Sequence, residues 1–467
     1  MHYVSTRGEA PPVNFVDATL AGLARDGGLY VPESWPKLPA AAIASFKDKP
    51  YAEVAFEVIK PFVGGTIADA DLQRILRDAY AAFDDAKVAP PVQLARDEYL
   101  LELFHGPTLA FKDIAMQVLA RLMDHVLSLR GERATILVAT SGDTGGAAVE
   151  AFRGSGRADL IVLFPAGRVS DVQRRMMTAV PAQNVHAVAV EGTFDDCQAI
   201  VKALFNDHAF RDRVRLSAVN SINWARIVAQ MVYYFTAAAS LGGSDLSFVV
   251  PTGNFGDVYA GYAASRAGLA LDRLVIATNV NDILARTLST GRYEPRQVVA
   301  TASPAMDIQV SSNFERLLFE VYHHDADALR ALMREFAAKG SFELPDGALK
   351  AMRQTFEAGR ADEAETVAAI RAVYEETGRL IDPHTAVAVA VGRKRKDKRG
   401  ASVILATAHP AKFPEVVEKA TGKHPALPAR LADLSARPER VTQLSADRDA
   451  VARFVREHTR AVAGAAA

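Results

Sequence analysis

Apolar runs of strand length alternate with amphipathic stretches of helical length from about residue 95 onwards, and this alternation is the strongest constraint on the fold. The runs predicted as strands are residues 99–104, 135–139, 160–164, 185–190, 214–219, 246–250, 274–278 and 403–406. Stretches between them, such as residues 195–205 and 224–241, have the length and periodicity of helices and do not suit an antiparallel meander. The pattern predicts an α/β protein with parallel sheet covered on both faces. Ligands in such folds bind at the carboxyl ends of strands, so the loops that follow strands are where we look for chemistry.

The first part of the chain follows a different pattern. Residues 1–92 alternate short helical patterns with Pro and Gly punctuation, which predicts a small, largely helical N-terminal subdomain. Residues 93–467 form the second predicted region. Within it, residues 320–395 are mostly helical and charged, with residues 325–339 and 362–377 as the clearest amphipathic stretches.

The composition excludes several classes of function. With 467 residues, 49% of them hydrophobic, the chain can bury a sizeable core and has the size of an enzyme. A net charge of -1 gives no general attraction for nucleic acid or anionic membranes, and the basic run at residues 393–399 is predicted to be a solvated turn. The single cysteine, Cys197, excludes intramolecular disulfides and multi-cysteine zinc sites and fits a reducing compartment, so we expect a cytoplasmic protein. The N-terminus lacks a signal-peptide pattern and no run approaches the roughly 18 apolar residues of a membrane span, so we expect neither export nor insertion.

Lys112 is the residue around which we predict the chemistry. The segment His105-Gly-Pro-Thr-Leu-Ala-Phe-Lys-Asp113 closes an apolar run and opens a helical pattern, so the lysine lies at a strand-to-helix junction. The helix dipole and apolar neighbours such as Phe111 both favour the neutral, nucleophilic amine. That form is needed for a Schiff base with a carbonyl or with pyridoxal phosphate. A lone lysine is more often one whose stem covers apolar surface while its amine reaches water, so the assignment depends on the rest of the chain.

Two glycine-rich turns each follow an apolar run and precede a helical pattern. They are Thr140-Ser-Gly-Asp-Thr-Gly-Gly146 and Pro251-Thr-Gly-Asn-Phe-Gly-Asp257. Backbone N–H groups converge in such turns and bind a carboxylate or a phosphate. Neither turn has the spacing of a dinucleotide fingerprint or of a Walker loop. Alone, the first turn reads equally well as an ordinary helix cap, and the second reads more readily as an ordinary Gly-rich turn. Their occurrence together with a junction lysine favours a site.

These segments resemble the threonine synthase family of pyridoxal-phosphate enzymes. The resemblance extends to Ser5-Thr-Arg-Gly8, Asn220-Ser-Ile-Asn-Trp-Ala-Arg226, Ser311-Ser-Asn-Phe-Glu-Arg316 and Ala406-Thr-Ala-His-Pro410, and so covers almost the whole chain. It implies the tryptophan synthase β-like fold (fold type II), with two parallel-sheet α/β lobes that hold the active site between them and a small helical N-terminal subdomain. It also implies pyridoxal 5'-phosphate as cofactor and no catalytic metal.

The resemblance further implies a role for individual residues. Lys112 would form the Schiff base with the cofactor. The cofactor would be held by Gly253, Asn254, Phe255, Gly256, Asp257 and Thr407, with Thr407 facing the pyridine nitrogen. The substrate would be bound by Ser141, Gly142, Asp143, Thr144 and Gly145 at its carboxylate and by Ser221, Asn223 and Arg226 at its phosphate. Arg7 and Arg168 are further candidates for the phosphate, although a single arginine often forms only a surface ion pair.

The reaction that the resemblance implies converts O-phospho-L-homoserine and water into L-threonine and phosphate by γ-elimination and β-addition of water. Lys112 would move first the α-proton and then a β-proton. The same fold serves threonine dehydratase, cysteine synthase and the tryptophan synthase β-subunit, and a non-catalytic protein that binds a phosphate ligand is an alternative of a different class. We expect a small-molecule substrate and neither nucleic acid nor membrane as partner. The sequence does not decide between a monomer and a homo-oligomer.

Overall fold

The chain folds into two compact units in the computed structural model, which describes residues 1–243, 245–396 and 399–462. The first unit contains Met1–Ala18, Leu23–Phe111 and Ser221–Pro425. The second unit contains Thr19–Gly22, Lys112–Asn220 and the segment that begins at Ala426. Each unit is therefore assembled from separate stretches of the chain. The boundary at residue 92 stays a prediction.

Strands and helices are numbered along the chain. The strands are β1 (Tyr3–Ser5), β2 (Tyr30–Pro32), β3 (Pro91–Ala95), β4 (Glu98–Glu102), β5 (Ala134–Ala139), β6 (Ala158–Pro165), β7 (Val185–Glu191), β8 (Leu216–Ser217), β9 (Ser247–Pro251), β10 (Arg273–Thr278), β11 (Arg292–Tyr293), β12 (Phe342–Glu343), β13 (Phe356–Arg360), β14 (Ser402–Ala406) and β15 (Thr442–Ser445). The helices are α1 (Phe15–Ala21), α2 (Ala40–Ala44), α3 (Tyr51–Val63), α4 (Asp69–Tyr80), α5 (Lys112–Arg130), α6 (Asp143–Phe152), α7 (Asp171–Thr178), α8 (Phe194–Asn206), α9 (His208–Arg213), α10 (Trp224–Leu241), α11 (Gly256–Arg266), α12 (Ile283–Thr290), α13 (Phe314–Val321), α14 (Ala326–Lys339), α15 (Asp346–Thr355), α16 (Glu363–Thr377), α17 (Pro383–Lys394), α18 (Pro414–Thr421) and α19 (Arg448–His458). Single turns of 3-10 helix cover Pro304–Met306, Pro410–Lys412, Ala429–Leu431 and Leu434–Ala436.

The first unit is built on a six-stranded sheet with the order β13-β10-β9-β14-β4-β3. All neighbours in it are parallel except β3 and β4. Both faces of the sheet are covered, because successive side chains of a strand point to opposite sides. On β10, Val275 lies in an apolar cluster with residues of α17, whereas Leu274 packs next to Gly261 of α11. The parallel strands bring their carboxyl ends to one edge of the sheet, where β9 and β14 pass into loops of the predicted site.

The second unit is built on a five-stranded parallel sheet with the order β15-β7-β6-β5-β8. Every residue of the central strand β6 is buried. The segment after Ala426 supplies β15 at one edge and α19, whose Val451 and Val455 pack into the core beside Val188 and Val190 of β7. The carboxyl end of β5 passes into the first glycine-rich turn.

The predicted α/β class with parallel sheets is confirmed. All eight predicted strands exist, and α10 has the bounds predicted from periodicity, although β8 is reduced to Leu216–Ser217. The stretch 320–395 is mostly helical, as predicted, but it also contains the edge strand β13. Helices α1–α4 supply the helical character predicted for the N-terminal region. Within the described parts of the chain, no helix is both long and apolar enough to cross a membrane.

The prediction of a solvated turn at residues 393–399 is wrong for the first three residues of this segment. Arg393 and Lys394 belong to α17, and Arg393 contacts the carboxylates of Glu98 and Glu376. The side chain of Arg395 is buried against Glu357 of β13. Carboxylates on neighbouring elements therefore hold these cations, which the local charge run could not indicate. Residues 397 and 398 lie outside the described residues.

Candidate active site

Lys112 is the first residue of α5, so it occupies the predicted junction after β4. Its Nζ lies 3.4 Å from Oδ2 of Asp143, in the first turn of α6. Both side chains are shielded from water, with 12% and 5% exposed. A carboxylate at this distance stabilises the ammonium form and opposes the influence of the helix N-terminus and the apolar neighbours. The amine is therefore held in one place by a hydrogen-bond acceptor beside it.

Gln173 of α7 holds the other oxygen of that carboxylate. Its Nε2 donates to Oδ1 of Asp143 at 2.9 Å. Gly142 makes room for this contact, because a Cβ there would lie 2.5 Å from Cδ of Gln173, and its φ of 145° is a conformation that favours glycine. The sequence pointed to Gly142 and Asp143 but not to Gln173, because a single amide on a helix has no sequence pattern of its own.

The Thr140 side chain occupies two of the backbone N–H groups in the first glycine-rich turn. Its Oγ1 accepts hydrogen bonds from the N–H groups of Gly142 and Gly145, both at 2.9 Å. Among the described residues no acceptor contacts the N–H groups of Ser141 and Thr144, which are therefore the donors left for a ligand carboxylate. The turn can bind an anion, but with fewer backbone donors than its glycine content suggests.

The carbonyl groups of the second glycine-rich turn are fixed on one side. Oγ of Ser311 donates to the carbonyl oxygen of Gly253 at 2.7 Å. The backbone N–H and Nδ2 of Asn313 both donate to the carbonyl oxygen of Asn254, at 3.0 and 3.1 Å. Across a trans peptide bond the N–H points opposite to the C=O. The N–H groups of Asn254 and Phe255 therefore point away from residues 311–313.

These N–H groups form a cradle that suits an anion at the start of α11. The N–H groups of Asn254, Phe255 and Gly256 contact no acceptor in the part of the chain that the structure describes. Phe255 has a left-handed φ of 66°, a conformation that turns successive N–H groups to one side. Its ring is buried against Phe314 and Phe356, and this packing offsets the backbone strain. The helix dipole adds to the attraction for a phosphate.

Space is tight around the two glycines of this loop. A Cβ at Gly253 would lie 2.8 Å from the carbonyl oxygen of Ala305. A Cβ at Gly256 would lie 3.3 Å from Nδ2 of Asn313 and 3.5 Å from Cβ of Ser221. The loop thus lies directly beside Ser221, one of the predicted substrate ligands.

Asp257 joins two helices. Its Oδ1 accepts from the hydroxyl groups of Tyr233 and Tyr234, and Tyr234 also donates to the Asp257 carbonyl oxygen at 2.9 Å. Burial, together with this carboxylate, raises the pKa of both tyrosines, so they remain neutral donors. The structure therefore places Asp257 between α10 and α11, and its predicted contact with the cofactor stays a prediction.

Thr407 follows β14 and is tied to the residue that precedes Lys112. Its carbonyl oxygen accepts from the N–H of Phe111 at 2.9 Å, and Ala408 forms an isolated antiparallel bridge with Ala110. Leu109 in the same segment has a φ of 61°, which costs a residue other than glycine about 1–2 kcal/mol. Neighbouring contacts must maintain this conformation.

Asn223 and Arg226 begin α10. Oδ1 of Asn223 accepts from the N–H of Ala225 at 3.0 Å and caps the helix. Arg226 is only 2% exposed, and burial lowers the pKa of its guanidinium to about 10. Its role as a ligand of the substrate phosphate stays a prediction.

A second buried arginine, Arg316, connects this segment to the cradle. It donates to the carbonyl oxygens of Tyr30 and Ile222 at 3.0 and 2.6 Å and to Oδ1 of Asn313. Its guanidinium also lies 5.6 Å from the ring centroid of Trp224. The Ser311–Arg316 motif therefore holds the 221–224 segment and the 253–256 loop together. The family resemblance includes this motif but implies no role for it.

The two other candidate arginines are placed differently. Arg7 makes a two-point contact with Glu315, with Nε and Nη2 each 3.2 Å from a carboxylate oxygen. Arg168 is exposed in the loop after β6. Neither placement indicates a phosphate site.

Three family models match the chain. The model described as "Threonine synthase N terminus" matches residues 2–80, "Pyridoxal-phosphate dependent enzyme" matches residues 92–349, and "Threonine synthase, C-terminal" matches residues 385–455.

Similar proteins cover nearly the whole chain. The threonine synthase of Pseudomonas aeruginosa is 51% identical over 462 residues, with 98% of each chain covered. The structure of PLP-bound threonine synthase from Brucella melitensis is 56% identical with a TM-score of 0.95, covering 98% of this chain and 100% of that one. The structure of threonine synthase from Escherichia coli is 32% identical with a TM-score of 0.84 and the same coverage.

Proposed function

The chain belongs to the threonine synthase family of pyridoxal-phosphate-dependent enzymes, and we propose that it converts O-phospho-L-homoserine and water into L-threonine and phosphate. The observation that carries this proposal is the cradle of three backbone N–H groups at residues 254–256, in a loop where Ser311 and Asn313 bind the carbonyl oxygens of Gly253 and Asn254.

The residues present fit pyridoxal phosphate. The N–H groups of Asn254, Phe255 and Gly256 would hold its phosphate, and Lys112 would bind it covalently. Thr407 would face the pyridine nitrogen, where a neutral hydroxyl does not keep that nitrogen protonated as a carboxylate would. When bound, the cofactor supplies the electron withdrawal that makes the α- and β-protons of the substrate acidic.

The substrate would be held at both ends. The N–H groups left at the turn from Ser141 to Gly145 suit its carboxylate, and Ser221, Asn223 and Arg226 are the proposed ligands of its phosphate. The guanidinium of Arg226 can donate two parallel hydrogen bonds to phosphate oxygens. Fixing both ends sets the position of the α-, β- and γ-carbons relative to one base.

Lys112 is that base. Once the amino group of the substrate has displaced it from the cofactor, its amine would take the proton from the α-carbon and, after passing that proton on, a proton from the β-carbon. Phosphate would leave from the γ-carbon, water would add its hydroxyl group at the β-carbon and give its proton to the phosphate, and the two protons taken from carbon would return to the γ- and α-carbons. Asp143 lies beside the amine and can accept a hydrogen bond from it, while Gln173 keeps that carboxylate oriented. The atoms balance, because the water consumed provides the hydroxyl group of threonine.

The test is to incubate the cofactor-loaded protein with O-phospho-L-homoserine and to measure threonine and phosphate together. Equal amounts of both are expected, and a Lys112→Ala variant serves as the inactive control. Formation of 2-oxobutanoate from threonine would instead indicate a dehydratase. Cofactor binding without release of phosphate would favour a non-catalytic binding protein.

We also propose a cytoplasmic location, supported by the single cysteine. Light scattering on the purified protein tests whether it forms a homo-oligomer.

A further inference from the structure

Lys412 is a buried lysine that the proposed chemistry does not use. Only 1% of it is exposed, and it is the one lysine among the described residues with less than a tenth of its surface accessible. Its Nζ donates to the carbonyl oxygen of Thr108 at 2.9 Å. An ammonium is among the most expensive groups to bury, and an apolar side chain of similar volume is often as good for stability or better. Stability therefore does not explain why a lysine occupies this position.

The contact falls on the segment that leads into Lys112. Thr108 precedes Leu109, whose left-handed backbone conformation must be maintained by its neighbours. The carbonyl oxygen of Leu109 accepts from the N–H of His409 at 3.0 Å, and the N–H of Phe111 donates to Thr407 at 2.9 Å. Residues 407–412 thus contact residues 108–111 along the whole segment, and Lys412 contributes a side-chain hydrogen bond to Thr108 at its start.

We propose that Lys412 is a positioning residue, which fixes residues 108–111 and thereby the direction in which Lys112 leaves this segment. The proposal rests on the proposed function, because it takes Lys112 as the lysine that binds the cofactor. If the base is displaced by a fraction of its side-chain length, proton transfer becomes much slower while substrate affinity is unchanged. We therefore expect a substitution of Lys412 to lower kcat and not to raise KM.

The test compares Lys412→Met with wild type and with Lys419→Met, which removes an exposed lysine from α18. In Lys412→Met, we expect kcat and the rate of borohydride-trappable cofactor attachment to fall by about tenfold or more, with KM within about threefold of wild type. The unfolding midpoint should stay the same or rise, because methionine fills the site without a buried charge. Lys419→Met should match wild type in every measurement.

A folded Lys412→Met protein with wild-type kcat and attachment rate would overturn the proposal. So would a lowered unfolding midpoint with normal attachment in the folded fraction, since that result means a purely structural role.

A second measurement needs no variant. In the wild-type apoprotein, the amides of Phe111 and His409 should exchange with deuterium as slowly as that of Ile404 in β14, and fast exchange would contradict the proposal.

Peptide mapping after borohydride reduction separates this proposal from the proposed function. We expect the label on Lys112. A label on Lys412 would make Lys412 the cofactor lysine and refute its positioning role. A label on Lys112 without phosphate release would refute the proposed reaction and leave the role of Lys412 intact.

Discussion

The contact between Lys112 and Asp143 is one of two opposing influences on the amine that we propose as nucleophile and base. The helix N-terminus and apolar surroundings favour its neutral form, whereas the carboxylate 3.4 Å away favours the charged form. Gln173 binds the other oxygen of Asp143 and helps to fix the orientation of this carboxylate. The distance between the two groups sets how strongly the carboxylate acts on the amine.

Arg226 gives a prediction at the same scale. Its guanidinium is buried and would be left without its proposed partner when the substrate lacks a phosphate, so homoserine should be rejected more strongly than one lost contact suggests. Arg226→Ala should lower kcat/KM for O-phospho-L-homoserine by a factor that corresponds to about 2–5 kcal/mol of lost transition-state stabilisation. The cofactor affinity should stay near wild type. Steady-state kinetics and a cofactor titration measure the two effects.

Arg334→Ala is the matched control, because Arg334 is exposed on α14. Near wild-type kcat/KM in a folded Arg226→Ala protein would exclude Arg226 as the phosphate ligand. Loss of cofactor binding would instead mean that the arginine supports the cradle.

At the scale of elements, the loop between β9 and α11 depends on a glycine at residue 256. In Gly256→Val the side chain meets Asn313 and Ser221, and overpacking of this kind costs about 1–3 kcal/mol. Because the strain falls on the cradle, we expect cofactor affinity to fall by roughly 5- to 150-fold with little loss of fold. Equilibrium dialysis with pyridoxal phosphate measures the affinity.

Gly347→Val on α15 is the control, because a Cβ at Gly347 has nothing within 4 Å. Equal cofactor affinity in a folded Gly256→Val variant and in this control would count against the cradle.

The packing of β7 against α19 predicts a dependence of stability on pH. The ring centroids of His186 in β7 and His458 in α19 lie 4.8 Å apart. The pKa of His186 is lowered from its usual 6.5, mainly by burial and to a smaller extent by the charge of His458. The unfolded chain therefore binds more protons than the folded one below pH 6.5, so the free energy of unfolding should decrease as the pH falls through this window. Denaturant unfolding of wild type and His186→Gln between pH 7.5 and about 5 should show a smaller decrease in the variant.

His424→Gln is the control for that experiment, because His424 is exposed next to Glu418. A decrease of equal size in wild type and His186→Gln would show that other groups cause it.

The elements that could be predicted from the sequence are those with a strong local signal. Strand β6 is buried along its whole length and contains the continuous apolar run 160–164, and α10 has a clear helical period. Strands β13 and β15 could not be predicted, because both are edge strands with polar or small residues and only one partner strand. Their pairing is decided by tertiary contacts that leave no local pattern.

The candidate site divides in the same way. Lys112 and the two glycine-rich turns could be proposed as site residues from the sequence, because they follow apolar strand-like runs and small residues in such turns are a recognisable signal. Gln173, Asn313 and Lys412 were not assigned a role, because a polar side chain that bonds a distant backbone or carboxylate group has no periodic signature. The contact between Lys412 and Thr108 joins residues 304 positions apart.

At the scale of the whole molecule, the chain leaves each unit and returns to it. The second unit receives its edge strand β15 and helix α19 only after the chain has completed the last part of the first unit. Glu439 accepts from Thr178 Oγ1 at 2.6 Å, and Nε of Arg460 lies 2.7 Å from Oδ1 of Asp159. These contacts tie the returning segment to α7 and β6. The second unit therefore lacks part of its core until the end of the chain is present.

This arrangement predicts that a chain ending at Pro425 loses the second unit selectively. Removing Val451 and Val455 uncovers the apolar face of β7, while every segment of the first unit remains present. Hydrogen exchange should show lost protection in β5, β6 and β7 and retained protection in β9, β10 and β14. Val455→Ala is a milder variant, expected to cost about 2 kcal/mol from two lost methyl groups, and exposed Arg453→Ala is its control. Wild-type protection of β6 and β7 in the shortened chain would show that the second unit folds without its last segment, because its core would then be complete before residue 426.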